Sequence, residues 1–307
     1  MHTVKLAIIG FGEAGSAIAQ GLRSETALDD LAIACFDVKS FEAETADEID
    51  ARAAQAGVTV CHALDQALSD ASLIFSTVTA GSALAVARSV AGIMEDDQDE
   101  PSVQPLYFDM NSVAPGTKRQ AADWLNRLGV GYVDTAVMAP IHPRLHKTPM
   151  LLAGPFAAAA LARLADWGMD LRAVGEETGR ASAIKMLRSV VVKGLEALSA
   201  EMALAAIRAG VEDEVVASLD ASYPGFDWGG RTAYNLERMA THGRRRAEEM
   251  EEVVRTLEEL GISPDLTTGT VQRQRRFGDS NLELSTTPVD LHERAQATLK
   301  ALSAQKM

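Results

Sequence analysis

The sequence has few cysteines and no long uninterrupted apolar run. Only two of its 307 residues are cysteines, Cys35 and Cys61. Each falls in or beside a segment predicted to be a strand, so we expect reduced core residues and not a disulfide or a metal-binding pair. No apolar run approaches the length of a membrane span, and no secretion-signal pattern opens the chain. These absences lead us to expect a cytoplasmic protein without a metal site.

Basic residues are also scarce relative to acidic ones. The chain carries 29 lysines and arginines against 43 aspartates and glutamates, a formal net charge of −14. This charge is a poor match to DNA or to an anionic membrane, so we expect neither as a partner. We expect a small-molecule partner instead, and an anionic substrate would need a local basic pocket. Hydrophobic residues make up 47% of the chain, which excludes a disordered protein.

The two parts of the chain differ in their hydrophobic pattern. The first alternates short apolar runs with amphipathic segments, which predicts a parallel sheet covered by helices. Strand signals disappear after Gly179, and residues 181–208 predict one helix of about 40 Å at 1.5 Å per residue. We therefore predict an α/β domain over residues 1–176 and an all-helical domain over residues 177–307, joined by that long helix.

Turn signals and periodicity set the predicted elements. The predicted strands are Val4–Ile9, Ala32–Asp37, Val58–Cys61, Leu73–Ser76, Leu106–Asp109, Gly131–Ala136, Met150–Ala153 and Leu171–Val174. The predicted helices are Gly12–Arg23, Glu44–Ala56, Ser82–Ile93, Pro115–Leu128, Pro155–Trp167, Ala181–Arg208, Glu212–Leu219, Trp228–Leu260 and Pro264–Phe277. We expect a break near Gly243 in the Trp228–Leu260 helix, and a solvated acidic loop at Glu95–Pro105.

A glycine-rich loop lies between the first predicted strand and the first predicted helix: Gly10-Phe11-Gly12-Glu13-Ala14-Gly15. In this context Gly10 permits a tight turn, Gly12 lets the backbone approach a pyrophosphate, and Gly15 allows close helix–strand packing. The helix N-terminus offers its N–H groups to the phosphates, and Glu13 is expected to point to solvent. The loop predicts dinucleotide binding, and the alternative is a glycine-rich turn without a ligand.

Residues after two other strands are candidates for the same cofactor. Asp37 ends the second predicted strand, where a carboxylate accepts hydrogen bonds from ribose hydroxyls and repels a 2′-phosphate. This favours NAD, but Lys39 could attract that phosphate, so NADP stays open. Thr77 and Val78 follow the fourth predicted strand and are expected to border the cofactor.

Four segments resemble the β-hydroxyacid dehydrogenase superfamily, which includes 6-phosphogluconate dehydrogenase, 3-hydroxyisobutyrate dehydrogenase and the imine reductases. They are the glycine loop, Asp109-Met-Asn-Ser-Val-Ala-Pro115, Tyr132-Val-Asp-Thr-Ala-Val-Met-Ala-Pro140 and Gly179-Arg-Ala-Ser-Ala-Ile-Lys185. The C-terminal part resembles a subgroup with a poorly characterised helical domain. The resemblance implies a Rossmann domain followed by a helical domain, a cleft active site, NAD(P)-dependent chemistry and a homodimer.

The resemblance also implies roles for single residues. Lys185 matches the lysine that acts as general acid/base on a substrate hydroxyl or carbonyl, which fits the need to move a proton when a hydride leaves a carbinol carbon. Asn111 and Ser112 match a segment that contacts nicotinamide and substrate. The alternatives are a solvated lysine and a helix cap before Pro115.

The sequence departs from the family at two places. The family commonly has an asparagine four residues after its lysine, where this chain has Ser189 with Arg188 beside it. A Ser-Gly-Gly that binds the substrate carboxylate is replaced by Met138-Ala139-Pro140, and proline has no N–H to donate. A simple hydroxy acid held in the usual way is therefore not expected.

Basic residues that follow the altered motif are candidate replacement anchors. His142 and Arg144 lie in a segment rich in basic residues, and Arg144 could bind a carboxylate or phosphate by two parallel hydrogen bonds. A solvent-exposed loop is the alternative.

The leading hypothesis from the sequence is an oxidoreductase that interconverts a hydroxyl and a carbonyl. One alternative is an imine reductase, although those members generally replace the lysine that Lys185 matches. The other is a non-catalytic regulatory protein that binds a nucleotide.

Overall fold

The chain folds into two compact units. A computed structural model describes residues 5–96, 103–280, 282, 284 and 290–304. The first unit is Met1–Met186 and the second is Leu187–Met307, so the division falls inside the long helix, beyond the Glu176 boundary predicted from the sequence. Val4 and residues 97–102 of the predicted acidic loop lie outside the described residues. Over the described ranges, no helix combines the length and the apolarity that a membrane crossing requires.

The first unit contains one eight-stranded sheet. Its strands are β1 (Lys5–Ile9), β2 (Ala32–Phe36), β3 (Thr59–Val60), β4 (Leu73–Ser76), β5 (Leu106–Asp109), β6 (Gly131–Val137), β7 (Met150–Ala153) and β8 (Leu171–Ala173). Their order is β3-β2-β1-β4-β5-β6-β7-β8. The first six are parallel, and β7 runs antiparallel to β6. The order of those six strands is that of the Rossmann fold, which confirms the predicted class.

Helices cover both faces of this sheet. They are α1 (Glu13–Arg23), α2 (Ala46–Ala56), α3 (Leu64–Leu68), α4 (Ala80–Asp96), α5 (Pro115–Arg127) and α6 (Ala157–Arg163). One apolar core lies on the face that α1 covers, and a second packs against α4 and α5. The short α3 is absent from the sequence prediction, because five residues carry too little periodicity to recognise. Cys35 and Cys61 are buried free thiols, as predicted.

The register of the parallel strands aligns polar residues in one row, at the carboxyl ends of β4 and β5 and in the middle of β6. Ile9 pairs with Ser76, Ser76 with Asp109, and Asp109 with Asp134. Registered residues on neighbouring strands point to the same face of the sheet. Ser76, Asp109 and Asp134 therefore form one buried polar row, at the edge where ligands bind in open α/β sheets.

The second unit is helical, as predicted. Its elements are the greater part of α7 (Arg180–Ala209), α8 (Glu212–Ser222), α9 (Trp228–Glu259), α10 (Asp265–Asp279) and α11 (Leu291–Ala304). The apolar core includes Leu236 and Met239 of α9 and Phe277 of α10. The sequence analysis did not predict α11.

The predicted break in α9 near Gly243 was wrong. The helix is continuous, and Gly243 serves the packing of α10 instead. A Cβ atom on Gly243 would lie 2.4 Å from the carbonyl oxygen of Gln274 and 2.5 Å from the backbone nitrogen of Gly278. Glycine at this position lets two helix backbones approach closely. From the sequence pattern alone, a glycine that permits such a contact cannot be distinguished from one that breaks a helix.

Candidate functional site

The three glycines of the loop after β1 have different surroundings. A Cβ on Gly10, whose φ is +86°, would lie 2.7 Å from Val78 Cγ1, and one on Gly15 would lie 2.4 Å from the carbonyl oxygen of Gly10. A Cβ on Gly12 would meet nothing within 4 Å. Packing within the protein therefore requires glycine at positions 10 and 15. The open space at Gly12 is suited to a ligand that approaches the backbone closely.

Hydrogen bonds fix this loop to the neighbouring strands. The backbone N–H of Phe11 donates to Asp37 Oδ2 at 2.6 Å, and that of Lys39 donates to Asp37 Oδ1 at 2.9 Å. Thr77 Oγ1 donates to the carbonyl oxygen of Gly10 at 2.5 Å. The Asp37 carboxylate is thus held beside the glycine loop at the end of β2, while the Lys39 side chain is exposed.

The N-terminus of α1 lies directly after this loop. Gly12 is its N-cap residue and contributes no side-chain cap, and Glu13 is exposed in the first turn, as the sequence predicted. The first N–H groups of a helix have no partner inside the helix, and the helix dipole favours an anion beside them. The loop, Asp37 and the start of α1 together fit a dinucleotide at this edge of the sheet.

Asn111 lies next to the polar row, just beyond β5. Its Nδ2 donates to Asp109 Oδ1 at 2.8 Å and to Ser76 Oγ at 2.9 Å. Because an ionised carboxylate only accepts hydrogen bonds, Asp109 defines which end of the amide is nitrogen. Asn111 Oδ1 is buried and has no hydrogen-bond partner among the described residues. A buried acceptor of this kind is suited to a ligand hydroxyl or amide.

Lys185 is brought to the same place by α7. Its Nζ donates to Ser112 Oγ at 2.6 Å, and the lysine is half-buried rather than fully solvated. Ser112 follows Asn111 directly, so the residue that Lys185 contacts is the chain neighbour of Asn111. The structure therefore brings together three of the four residues that the sequence assigned to catalysis.

The fourth of these residues belongs to the second unit. Ser189 is buried, and its Oγ accepts a hydrogen bond from Lys193 Nζ at 3.3 Å. Arg188, a predicted substrate contact, is exposed beside it. The contribution of both residues to the site stays a prediction.

Part of the segment Met138–Pro140, which replaces the family's Ser-Gly-Gly, packs within the protein. Met138 packs against an apolar cluster that includes Leu151 and Ala181, and its N–H donates to the carbonyl oxygen of Pro149 at 2.9 Å. Ala139 is half-buried and Pro140 exposed. The backbone donor of Met138 is therefore already used within the protein.

The basic residues beyond this segment are divided between two environments. His146 is buried with its Nε2 2.9 Å from Glu25 Oε1, and Lys147 Nζ lies 2.8 Å from the same oxygen. Burial lowers the pKa of His146, although its hydrogen bond to Glu25 opposes this. His146 and Lys147 thus attach the segment to Glu25, just beyond the end of α1. His142 and Arg144 remain exposed, and His142 lines a polar cavity of about 240 Å³ beside α1 and α2.

One buried network was not predicted from the sequence. Lys118 of α5 is fully buried, with its Nζ 3.0 Å from Asp109 Oδ1 and 3.7 Å from Asp134 Oδ1. Tyr132 donates from its hydroxyl to Asp109 Oδ2 at 2.6 Å, and burial, with the charge of Asp109, raises the pKa of Tyr132 well above its ordinary value. The available signal was one aspartate at the end of the predicted strand Leu106–Asp109 and another inside the next predicted strand, Gly131–Ala136. Within the described residues, no cluster of three or more His, Cys, Asp or Glu side chains could hold a metal ion.

Nearly the whole chain is similar to proteins of known structure. Residues 206–277 match a family described as a domain of unknown function, DUF1932. A conserved hypothetical protein from Sinorhizobium meliloti is 32% identical, with 99% of this chain and 97% of that chain covered and a TM-score of 0.71. A conserved protein of unknown function, described as structurally similar to 3-hydroxyacid dehydrogenases, is 30% identical over 90% of this chain and 97% of its own, with a TM-score of 0.66.

A more distant likeness is to an enzyme. The 3-hydroxyisobutyrate dehydrogenase of Mycobacterium tuberculosis shares the fold with a TM-score of 0.70 at 13% identity, over 97% of this chain and 99% of that one. Fold and glycine loop define a Rossmann-type dinucleotide-binding unit followed by a helical unit. The chain belongs to the β-hydroxyacid dehydrogenase superfamily.

The different surroundings of Gly15 and Gly12 predict different results when each is replaced by alanine. Gly15→Ala forces a methyl group against the Gly10 carbonyl, so we expect the free energy of unfolding to fall by about 1–3 kcal/mol. Gly12→Ala has room and an ordinary φ of −75°, so its stability should stay within about 0.5 kcal/mol of wild type. Its methyl group should instead weaken NADH binding by about tenfold, roughly 1.4 kcal/mol.

Urea denaturation and fluorescence titration with NADH measure the two effects. Unchanged NADH affinity in Gly12→Ala, or unchanged stability in Gly15→Ala, would contradict this division of roles.

Proposed function

We propose that the protein is an NAD(P)-dependent oxidoreductase that interconverts a hydroxyl and a carbonyl group. The observation that carries this proposal is the hydrogen bond of 2.6 Å from Lys185 Nζ to Ser112 Oγ, which follows directly on Asn111 with its unpartnered Oδ1. A proton-transferring amine and a ligand acceptor therefore lie at the sheet edge where the glycine loop would hold a dinucleotide. Membership of the superfamily supports the same reading.

The residues present fit a nicotinamide dinucleotide. The space at Gly12 and the α1 N-terminus would take the pyrophosphate, Asp37 would accept from the adenosine ribose, and Thr77 and Val78 would line the path between them. When bound, the nicotinamide supplies the hydride donor or acceptor. Asn111 Oδ1 would accept a hydrogen bond from a hydroxyl of the nicotinamide ribose or of the substrate.

Lys185 would carry the proton of the reaction. In oxidation, its neutral amine accepts the hydroxyl proton as the hydride leaves the carbinol carbon. In reduction, its ammonium donates a proton to the oxygen of the former carbonyl. Ser112 accepts a hydrogen bond from Lys185 and so orients Nζ, while its own hydroxyl proton can donate to the substrate oxygen.

The substrate is proposed to be something other than a small hydroxy acid held in the usual way. The N–H of Met138 already donates to Pro149, and Pro140 has none to offer. A negatively charged group would need another anchor, and the exposed side chains of His142, Arg144 and Arg188 are the candidates. A substrate screen over hydroxy acids, aromatic ketones and imines tests the class, and exclusive turnover of imines would replace the present proposal.

Removing the amine of Lys185 tests the catalytic role. We expect Lys185→Ala to lower kcat by about 10²–10⁴-fold, the usual contribution of a general acid or base, while NADH still binds. Steady-state kinetics and fluorescence titration report the two quantities. Lys5→Ala, at the amino end of β1, is the matched control and should retain wild-type kcat. Wild-type turnover in Lys185→Ala would exclude this mechanism.

The choice of cofactor depends on Asp37, and we propose a preference for NAD. Asp37→Asn keeps an acceptor for the Phe11 N–H but removes the charge that repels a 2′-phosphate. We expect the preference for NADH over NADPH to fall by about tenfold, roughly 1.4 kcal/mol. Dissociation constants for both cofactors measure it, and the exposed Asp30→Asn is a charge-matched control. A wild-type protein that binds NADPH more tightly would show this assignment to be wrong.

We also propose that two copies of the chain pair through α7. Leu187, Val191 and Leu198 are 43%, 61% and 62% exposed, at a heptad-like spacing that places them on one stripe of the helix. Gly194 lies between them with open space at its Cβ position, which permits a close helix contact. A stripe of this kind is typical of an interface rather than of a solvated surface.

Charges in this stripe should abolish the dimer. We expect the double variant Val191→Glu, Leu198→Glu to be monomeric because two carboxylates would lose their hydration at the interface. Sedimentation velocity measures the state, and Val211→Glu, outside the stripe, should leave it unchanged. A monomeric wild-type protein would refute the pairing.

A further inference from the structure

Lys118 is a fully buried cation that the proposed reaction does not use. Its Nζ donates to the backbone carbonyl of Asp109 at 2.5 Å and lies 3.0 Å from the Oδ1 of the same residue. Asp134 Oδ1 is 3.7 Å away on the next strand. One cation thus faces two buried carboxylates at the carboxyl edge of the sheet.

Each carboxylate holds one part of the candidate site. Asp109 Oδ1 accepts from both the backbone N–H and the side-chain Nδ2 of Asn111, at 3.0 and 2.8 Å. Asp134 Oδ2 accepts from the N–H groups of Gly179 and Ser182, both at 3.1 Å. The Ser182 hydroxyl also donates to Asp134 Oδ1. Asp109 therefore holds the amide, and Asp134 holds the start of the helix that carries Lys185.

These contacts close into a ring. From Asp134 the chain of contacts passes through the first turn of α7 to Lys185, across the hydrogen bond to Ser112, and along the backbone to Asn111. It continues through Asp109 to Lys118, and from there back to Asp134. Lys118 of α5 is the member that lies outside the sheet and contacts both aspartates.

Stability alone is a weak reason for such a network. Replacing a buried ion pair by apolar residues is often neutral or stabilising, since burial removes the ions from water. The network instead holds Asn111 directly and holds the helix that carries Lys185 through its first turn, and catalysis is sensitive to displacements of about 1 Å. Resting on the proposed function, we infer that Lys118 is a positioning residue, which keeps Asn111 and Lys185 in register for the reaction.

The test compares Lys118→Met with Lys5→Met in the full chain. Lys5 lies at the end of β1 away from the glycine loop and donates to the carbonyl oxygens of Gln66 and Ser69. Lys5→Met therefore removes one lysine and its hydrogen bonds without touching the candidate site. We expect kcat to fall by about 100-fold in Lys118→Met and to stay at the wild-type value in the control.

The second readout needs no substrate. Isotope-edited NMR of the Lys185 ε-methylene group, assigned by its loss in Lys185→Arg, should show two inequivalent protons in wild type, because the side chain is held. We expect a single averaged signal in Lys118→Met. A fully folded Lys118→Met with wild-type kcat or an unchanged Lys185 signal overturns the inference.

A milder variant covers the case in which Lys118→Met does not fold. Ser182→Ala removes one donor to Asp134 and leaves both backbone N–H groups. We therefore expect a smaller fall in kcat and a partial averaging of the Lys185 ε-methylene signal. A folded Ser182→Ala with an unchanged Lys185 signal counts against positioning. If wild type turns over no carbonyl or hydroxyl substrate, the proposed function fails, while the NMR comparison still decides the role of Lys118.

Discussion

The arrangement of the first unit depends on two carboxylates buried side by side, one at the carboxyl end of β5 and one in the middle of β6. Asp109 and Asp134 are in register, so their side chains lie on one face of the sheet, and Lys118 faces both. An isolated buried carboxylate is strongly unfavourable, which means that these two are tolerated only with a cation and several N–H or O–H donors. Those donors come from the backbone and side chains that build the candidate site.

The glycine loop lies at the same edge of the sheet, and close packing of the backbone fixes its shape. Gly10 and Gly15 are required because β1, the loop after β4 and α1 approach too closely for a side chain, as the contacts of Gly10 with Val78 show. Gly12 is free of such contacts, and no protein neighbour explains it. Close packing therefore sets the shape of the loop, and the open space beside Gly12 is suited to a ligand.

Much of the fold could be predicted from local pattern. Alternating apolar runs and amphipathic segments indicated the parallel sheet, and the uninterrupted pattern of residues 181–208 indicated α7, which the structure extends by one residue at each end. The prediction failed at Gly243, where a contact with Gly278 in another helix decides what the glycine does. Local sequence carries no information about such an approach between distant segments.

The sheet-then-helices layout and the dinucleotide loop could be predicted from the sequence because both depend on short-range spacing, and Lys185 became a candidate through the resemblance to the superfamily. The contact of Lys185 with Ser112 and the burial of Lys118 against Asp109 came only from the three-dimensional arrangement. The first contact joins residues 73 positions apart, and the second joins residues nine positions apart that lie on a helix and a strand. They exist because strand register and helix packing bring strand ends to one edge, and a linear pattern does not specify that register.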